Sequence, residues 1–362
     1  MKKLGKSIFF MVPYPLGKAP SQRFRFEQYF NLLRDNQFNF AVKPFYSEKT
    51  WAILHQEGNF IAKSLRITAS FFSRFLQLFQ VIKYDFVFIH REVAPIGPPF
   101  FEWIIAKVLR KKIIYDFDDA IWLPNYSEAN TRVQKLKYYT KVNGIMKWAT
   151  RISAGNKYLA TYASQYNKNV VVNPTTIDTL NYHNLELYTF EKETNKTVIG
   201  WTGTHTTGKY LGFLVPIFEK LSVEFDFEFC VISNEDPGIN VENLNFIKWK
   251  KESEINDLLR FDIGVMPLSD DLWANGKCGF KALQYMSLGI PAIASPVGMN
   301  TEIIDEGVNG FLCTTEEEWF KALHFLLSDK NNREKMHQAA RDKIIQKYSV
   351  ISNQQNFLNL FN

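Results

Sequence analysis

Short, nearly unbroken apolar runs recur along the chain, each separated from the next by a longer segment with helical spacing. In the first half they are IFFMV (8–12), FNFAVKPF (38–45), DFVFI (85–89), KIIYDF (112–117), RISAG (151–155) and VVVNP (170–174). In the second they are VIGWTG (198–203), FEFCVIS (227–233), NFIKW (245–249), FDIGVMPL (261–268), PAIAS (291–295) and GFLCT (310–314). Continuous apolar strands alternating with helices predict parallel sheets covered on both faces, so the fold class is α/β. Two such series predict two Rossmann-like domains, the first over 1–186 and the second over 187–345. The polar stretch LYTFEKETNKT (187–197) is the linker between them. Only the architecture repeats, with no repeat at the level of residues.

Composition narrows this picture. The chain has 362 residues, 46% of them apolar, enough for two packed cores. No uncharged apolar run reaches the roughly 18 residues that a spanning helix needs. The N-terminal MKKLGKSIFFMVPYPLG has the charged start of a signal peptide, but only IFFMV is apolar and no small-residue cleavage site follows, so it is read as a first strand. Cys230, Cys278 and Cys313 are odd in number and widely spaced, which implies neither a disulfide framework nor a metal knuckle and fits a reducing cytoplasm.

Charge is unevenly spread. Residues 1–180 carry 26 Lys and Arg against 12 Asp and Glu, a balance of +14, and residues 181–362 carry 17 against 25, a balance of −8. A basic first half calls for an anionic partner. No nucleic-acid motif accompanies it, so a membrane surface or phospholipid ranks above nucleic acid. SLRITASFFSRFLQLFQVIK (64–83) reads as an aromatic-rich amphipathic helix with Arg66, Arg74 and Lys83. Either it packs on the sheet with cationic edges, or it faces a membrane.

Ligands of doubly wound sheets sit outside the carboxyl ends of the strands, and the polar motifs fall there. VPYPLGKAPSQRFR follows the first strand, with Gly17 in a turn and Arg23 and Arg25 opening a helix. His90 to Glu92 follow the third strand. His90 is suited to donating to a phosphate and Glu92 to orienting a hydroxyl, though a lone histidine at a strand end is more often structural. In DFDDAIW, Asp116, Asp118 and Asp119 are open to three readings: a divalent metal site, acceptor binding or proton abstraction, or capping of a turn.

In the second half, WTGTHTTGK offers the amides and hydroxyls of Gly203, Thr204, His205 and Thr206 and the charge of Lys209. Its spacing is that of G-x-x-x-x-G-K, but Tyr210 replaces the Ser or Thr that would hold magnesium, so it is not a P-loop. In GKCGFKALQYMSLGIPAIASPVG (276–298), steps of four and three place Lys277, Lys281 and Gln284 near one helix face, with Lys277 at or just before the first turn. Gly289 then ends the helix, and Pro291 blocks its continuation. Cations gathered at a helix N-terminus suit an anion. The plain alternative is a solvated lysine face.

At GFKALQYMSLGIPAIASPVGMNTEIIDEGVNGFL the sequence resembles the large retaining glycosyltransferase family numbered four. Its fold is GT-B, two Rossmann-like domains with parallel sheets facing across a cleft. PYPLGKAPSQRFR, YDFDDAIW, SAGNKYLA, VVVNPTTID and IGWTGTHTTGKYL are similar to that family's landmarks in the same order, so the likeness covers nearly the whole chain. The resemblance implies a UDP- or GDP-linked nucleotide sugar bound mainly by the second domain. It also implies a glycan or lipid-linked acceptor on the first domain, no metal or other cofactor, and a C-terminal helix (346–362) crossing back to the first domain.

Of the family's two glutamates eight residues apart, Gln284 stands at the second position and Gly276 at the first. Lys209 matches the lysine of the family's phosphate-binding pair. Trp201 or Thr204 stands in the arginine's place, and Lys277 and Lys281 are left to supply the missing charge. The implied donor contacts are Gly203, Thr204, His205, Lys209, Lys277, Lys281 and Gln284, and the implied acceptor contacts are Gly17, Arg23, His90 and Asp118. Asp119, Glu92 and Lys281 are the candidate catalytic groups, with no protein nucleophile expected. This describes a metal-independent hexosyltransferase of cell-surface polysaccharide synthesis, cytoplasmic and peripheral at the inner face of an anionic membrane. The same architecture also suits a nucleotide-sugar epimerase, which needs acid and base carboxylates, or a non-catalytic binder, which the missing glutamates favour.

Overall fold

The structure, a computed structural model, describes residues 6–54, 56, 58–124, 137–192 and 194–362; the His205 side chain lies outside the described part. Each apolar run forms a strand. In the first sheet these are β1 Ser7–Val12, β2 Asn39–Pro44, β3 Phe86–His90, β4 Lys112–Phe117, β5 Arg151–Ala154 and β6 Val170–Val172. The second holds β7 Thr197–Gly203, β8 Phe227–Ser233, β9 Leu244–Lys248, β10 Ile263–Met266, β11 Ala292–Ala294 and β12 Gly310–Leu312. The spatial orders are β2-β1-β3-β4-β5-β6 and β12-β11-β10-β7-β8-β9, and every pairing is parallel.

The chain forms two compact units, Met1–Thr175 with Gln354–Asn362, and Thr176–Asn353. Residues 176–186, assigned on sequence grounds to the first domain, cluster with the second unit.

In the first unit β1 runs between β2 and β3, and Ile8 to Val12 are wholly buried, which is why this strand reads as an unbroken apolar run. Phe10 packs against Phe88 and Phe26 with ring centroids 4.9 and 5.5 Å apart. The division between units falls inside the Val350–Leu358 helix. Its last turn and the residues after it belong to this core: Phe357 stacks on Tyr29 at 4.2 Å, and Lys6 Nζ donates to the Phe361 carbonyl at 2.8 Å.

The second unit is built on Trp201, Phe229, Val231, Ile263, Val265, Ile293 and Trp319. Its Glu316–Ser328 helix opens with a capping box between Thr315 and Glu318, two otherwise orphan amides being satisfied reciprocally.

One sequence expectation is corrected here. The amphipathic segment is a helix, Phe60–Val81, but Arg74 is not on a cationic edge. It is wholly buried and donates to the carbonyls of Val12, Lys43 and Val93 and to Gln77 Oε1, at 2.7–2.9 Å. A residue at the centre of the helix thus satisfies backbone oxygens where β1 and β2 end, which position alone could not reveal.

In each sheet the strand order reverses once, between β1 and β3 in the first and between β7 and β10 in the second. These are the crevices where ligands of doubly wound folds bind.

Candidate functional site

The first unit places a row of polar residues across three neighbouring strands. His90, Asp116 and Ser153 are register partners on β3, β4 and β5. All three are buried. Asp116 Oδ2 lies 2.8 Å from His90 Nδ1, and Asp116 Oδ1 accepts from Ser153 Oγ at 2.6 Å and from Arg25. Arg25, buried like the others, also donates to the Asn173 carbonyl.

Burial by itself would raise the Asp116 carboxyl. The Arg25 charge and the His90 hydrogen bond outweigh it and hold the group well below the usual carboxylate range. An ionised Asp116 only accepts, so His90 Nδ1 carries the proton between them. His90 Nε2 is buried without a hydrogen-bond partner, 4.0 Å from Asp118 Oδ1.

Arg91, next along, is held in the left-handed region at φ 58°. Its N–H donates to the Asp116 carbonyl at 2.7 Å, and its guanidinium clamps Asp118 at 2.7 Å and Asp119 at 2.6 Å. Asp118 and Asp119 are therefore the two arms of an arginine clamp. Glu92 pairs at 2.6 Å with Lys141, a buried lysine that also donates to the Ala94 carbonyl. Asp116 is the centre of an ion-pair network, not the cap of a turn. Among the described residues, no group of three or more His, Cys, Asp or Glu is arranged to hold a metal ion.

Gly17 does occupy a turn, at φ 73°, and its amide is taken by Glu27 Oε2 at 2.8 Å. Arg23 lies over the Phe24 ring, 4.9 Å from its centroid.

In the second unit the site is built around the crevice between β7 and β10. The helix Phe280–Ser287 follows Gly279, whose φ of 66° turns the chain into it. It ends as the sequence predicts, with Gly289 at φ 75° and its amide on the Met286 carbonyl at 3.0 Å. Lys281 leaves the first turn toward the end of β7, its ammonium 5.5 Å from the centroid of the Trp201 ring. The lysine passes so close to Gly203 that a Cβ there would meet both its Cε and the Trp201 ring.

Gln284, one turn on, is buried, and its Nε2 has no hydrogen-bond partner. Asn300 Oδ1 is a second buried polar atom without a partner, 3.3 Å from where a Gly279 Cβ would stand. Buried polar atoms are ordinarily paired, so such orphans mark places that a ligand can satisfy. Sequence reading missed Asn300, because one asparagine at the start of the short helix Asn300–Ile303 carries no signal until burial strips it of water.

The remaining donor candidates are more dispersed. Lys277 precedes the helix and lies over the Trp273 ring at 5.1 Å, and Lys209 is exposed over the Tyr210 ring at 5.0 Å. Thr204 caps the short turn His205–Gly208, its carbonyl accepting from Thr207 and Gly208. The structure thus brings Lys281, Gly203 and Trp201 together, with Gln284 one turn away on the helix.

Comparison with known proteins bears on the fold and on part of the second unit. Residues 238–343, which include Lys277, Lys281 and Gln284, match the family model of glycosyl transferases group 1. A glycosyltransferase from Rickettsia africae is similar over 98% of this chain and 97% of its own, with a TM-score of 0.66 at 14% identity. Sucrose-phosphate synthase from Thermosynechococcus elongatus is similar over 98% of both chains, with a TM-score of 0.65 at 12% identity. Anabaena HepE, solved in complex with UDP and glucose, is similar over 98% of this chain and 99% of its own, with a TM-score of 0.61 at 17% identity. No curated protein sequence matches the chain. The fold is therefore GT-B, two parallel six-stranded α/β units of the kind these transferases share.

Proposed function

We propose that this protein transfers a sugar from a UDP- or GDP-linked donor to a hydroxyl of a glycan or lipid-linked acceptor, without a metal and with retention of configuration. The observation that carries this reading is Lys281 at the β7–β10 crevice with the unpartnered amide of Gln284 one helical turn behind it. A nucleoside diphosphate presents phosphate oxygens to an ammonium at a helix N-terminus and ribose hydroxyls to the amide whose Nε2 is unsatisfied. As the glycosidic bond breaks, negative charge grows on the leaving diphosphate. Lys281, with Lys277 and the first-turn amides, stabilises that charge without a metal.

The acceptor belongs to the first unit. His90, its Nδ1 proton fixed by Asp116, turns Nε2 toward an acceptor hydroxyl and receives a hydrogen bond from it, while Asp118 lies beside the same nitrogen. Asp119, clamped with Asp118 by Arg91, adds negative charge where the acceptor proton is lost. Glu92, paired with Lys141, orients these loops. The excess of basic residues in the first half draws this unit to an anionic membrane where a lipid-linked acceptor would be met.

A thermal-shift screen over UDP- and GDP-sugars tests the reading. A donor that binds only the native state raises the melting temperature, and a screen in which no nucleotide or nucleotide sugar does so contradicts the proposal.

A further inference from the structure

The Phe60–Val81 helix is amphipathic in the reverse sense. Its protein-facing side holds Ser70, Arg74 and Gln77 together with Leu78 and Val81. On the opposite side Ile61, Leu65, Phe72, Phe75, Leu76 and Phe79 each have between 47 and 79% of their surface exposed. Their steps of three, four and seven place them in one stripe along the helix. The stripe therefore looks outward. Next to the helix, where Phe71 and Phe101 rings meet at 6.2 Å, Phe100, Trp103 and Val108 add further exposed apolar surface. A contiguous patch of this kind marks a surface that something covers.

Charge identifies the occupant. Residues 60–83 contain no Asp or Glu, and neither do residues 103–112; Lys83, just past the helix, and Lys107, Arg110 and Lys112, in the segment after Trp103, are exposed, with Asp85 the acidic neighbour of Lys112. Two copies meeting through this face would bring cationic rims together, and anionic headgroups would neutralise them. No helix among the described residues is long and apolar enough to cross a membrane. Ser70 and Gln77 are moreover buried, and Arg74 is bonded to the Val12, Lys43 and Val93 carbonyls on the protein side.

We infer that the Phe60–Val81 helix lies in the plane of an anionic bilayer and inserts its aromatic stripe between the headgroups. The inference rests on the membrane reading above and deepens it, since attraction of a basic domain alone needs no insertion. Insertion adds an apolar contact that salt does not screen.

The test is flotation with phosphatidylcholine vesicles, with and without phosphatidylglycerol, at low and high salt, comparing the native chain with Phe72→Ser/Phe79→Ser. The native chain floats with anionic vesicles, and a substantial part stays bound at high salt. The double variant binds about tenfold more weakly or worse at both salts, with unchanged melting temperature and nucleotide-sugar affinity. Equal binding by the variant overturns the insertion and leaves the basic-surface reading intact. A native chain that floats with neither vesicle overturns both, while donor binding, measured separately, decides the transferase reading. Sedimentation that finds a native dimer made monomeric by the same substitutions assigns the stripe to a second copy and overturns the inference.

Discussion

Lys281 and Gly203 are mutually dependent: the lysine reaches the end of β7 by crossing the space a side chain at position 203 would fill, a Cβ there lying 2.9 Å from Lys281 Cε. The glycine keeps open the path by which the helix cation reaches the crevice. Replacing Lys281 by Ala is expected to weaken donor binding by roughly 10- to 100-fold, the loss of a charged hydrogen bond worth about 1.5–3 kcal/mol. Titration calorimetry with the preferred donor measures it. Gly203→Ala should reproduce much of that loss and destabilise the fold by about 1–3 kcal/mol through overpacking against Trp201, read from urea unfolding.

Gln284→Leu separates a ligand-binding amide from a structural one. A buried amide with an unpartnered Nε2 contributes little to the fold, so an apolar side chain of similar size should leave stability unchanged or slightly raised. Donor affinity should fall about tenfold or more in the same variant. Loss of stability with donor affinity intact would show that the amide serves packing.

Asp116 sets an acid limit on stability. Its folded carboxyl titrates well below the ordinary value of 3.8, so the protonation-linked stabilisation is fully present above that value and is lost as pH falls below it. Asp116→Asn removes the carboxylate that buried Arg25 is paired with, with an expected loss of about 3–5 kcal/mol near neutral pH. Unfolding followed by circular dichroism between neutral and strongly acid pH should show a steep acid dependence in the native chain and a flatter one in the variant.

Much of the fold could be read from the sequence because parallel strands buried on both faces leave unbroken apolar runs, as at Ile8–Val12, and the structure adds only their order and exact ends. The helix from Phe60 shows where such reading stops. Hydrophobic periodicity identifies an amphipathic helix but does not say which side faces the protein, and here Arg74 faces inward while Phe72 and Phe79 face out. The candidate site was legible as a set of loops after strands. Its wiring was not, because Arg25 to Asp116 and Lys141 to Glu92 are pairings between residues distant in sequence. The sequence left open whether Lys277 lies at or just before the first turn of its helix, and the structure, with the helix starting at Phe280, puts it in the loop just before.

Transfer should survive excess EDTA. Asp116, Asp118 and Asp119 direct their carboxylates to Arg25 and Arg91, and Lys281 carries the positive charge proposed for the diphosphate. Complete loss of activity on chelation, restored by magnesium or manganese, would return the aspartates to a metal-binding role.

The most direct measurement is the release of nucleoside diphosphate from the donor that the thermal screen selects, with and without a glycan or lipid-linked acceptor, in the native chain and in Lys281→Ala. The account predicts release that depends on acceptor, matched by formation of a glycosylated product, and lowered at least about tenfold by the substitution. Conversion of the donor sugar without acceptor or product would mark an epimerase. Tight donor binding with no release under any condition would mark a binding protein, and either result would contradict sugar transfer at this site.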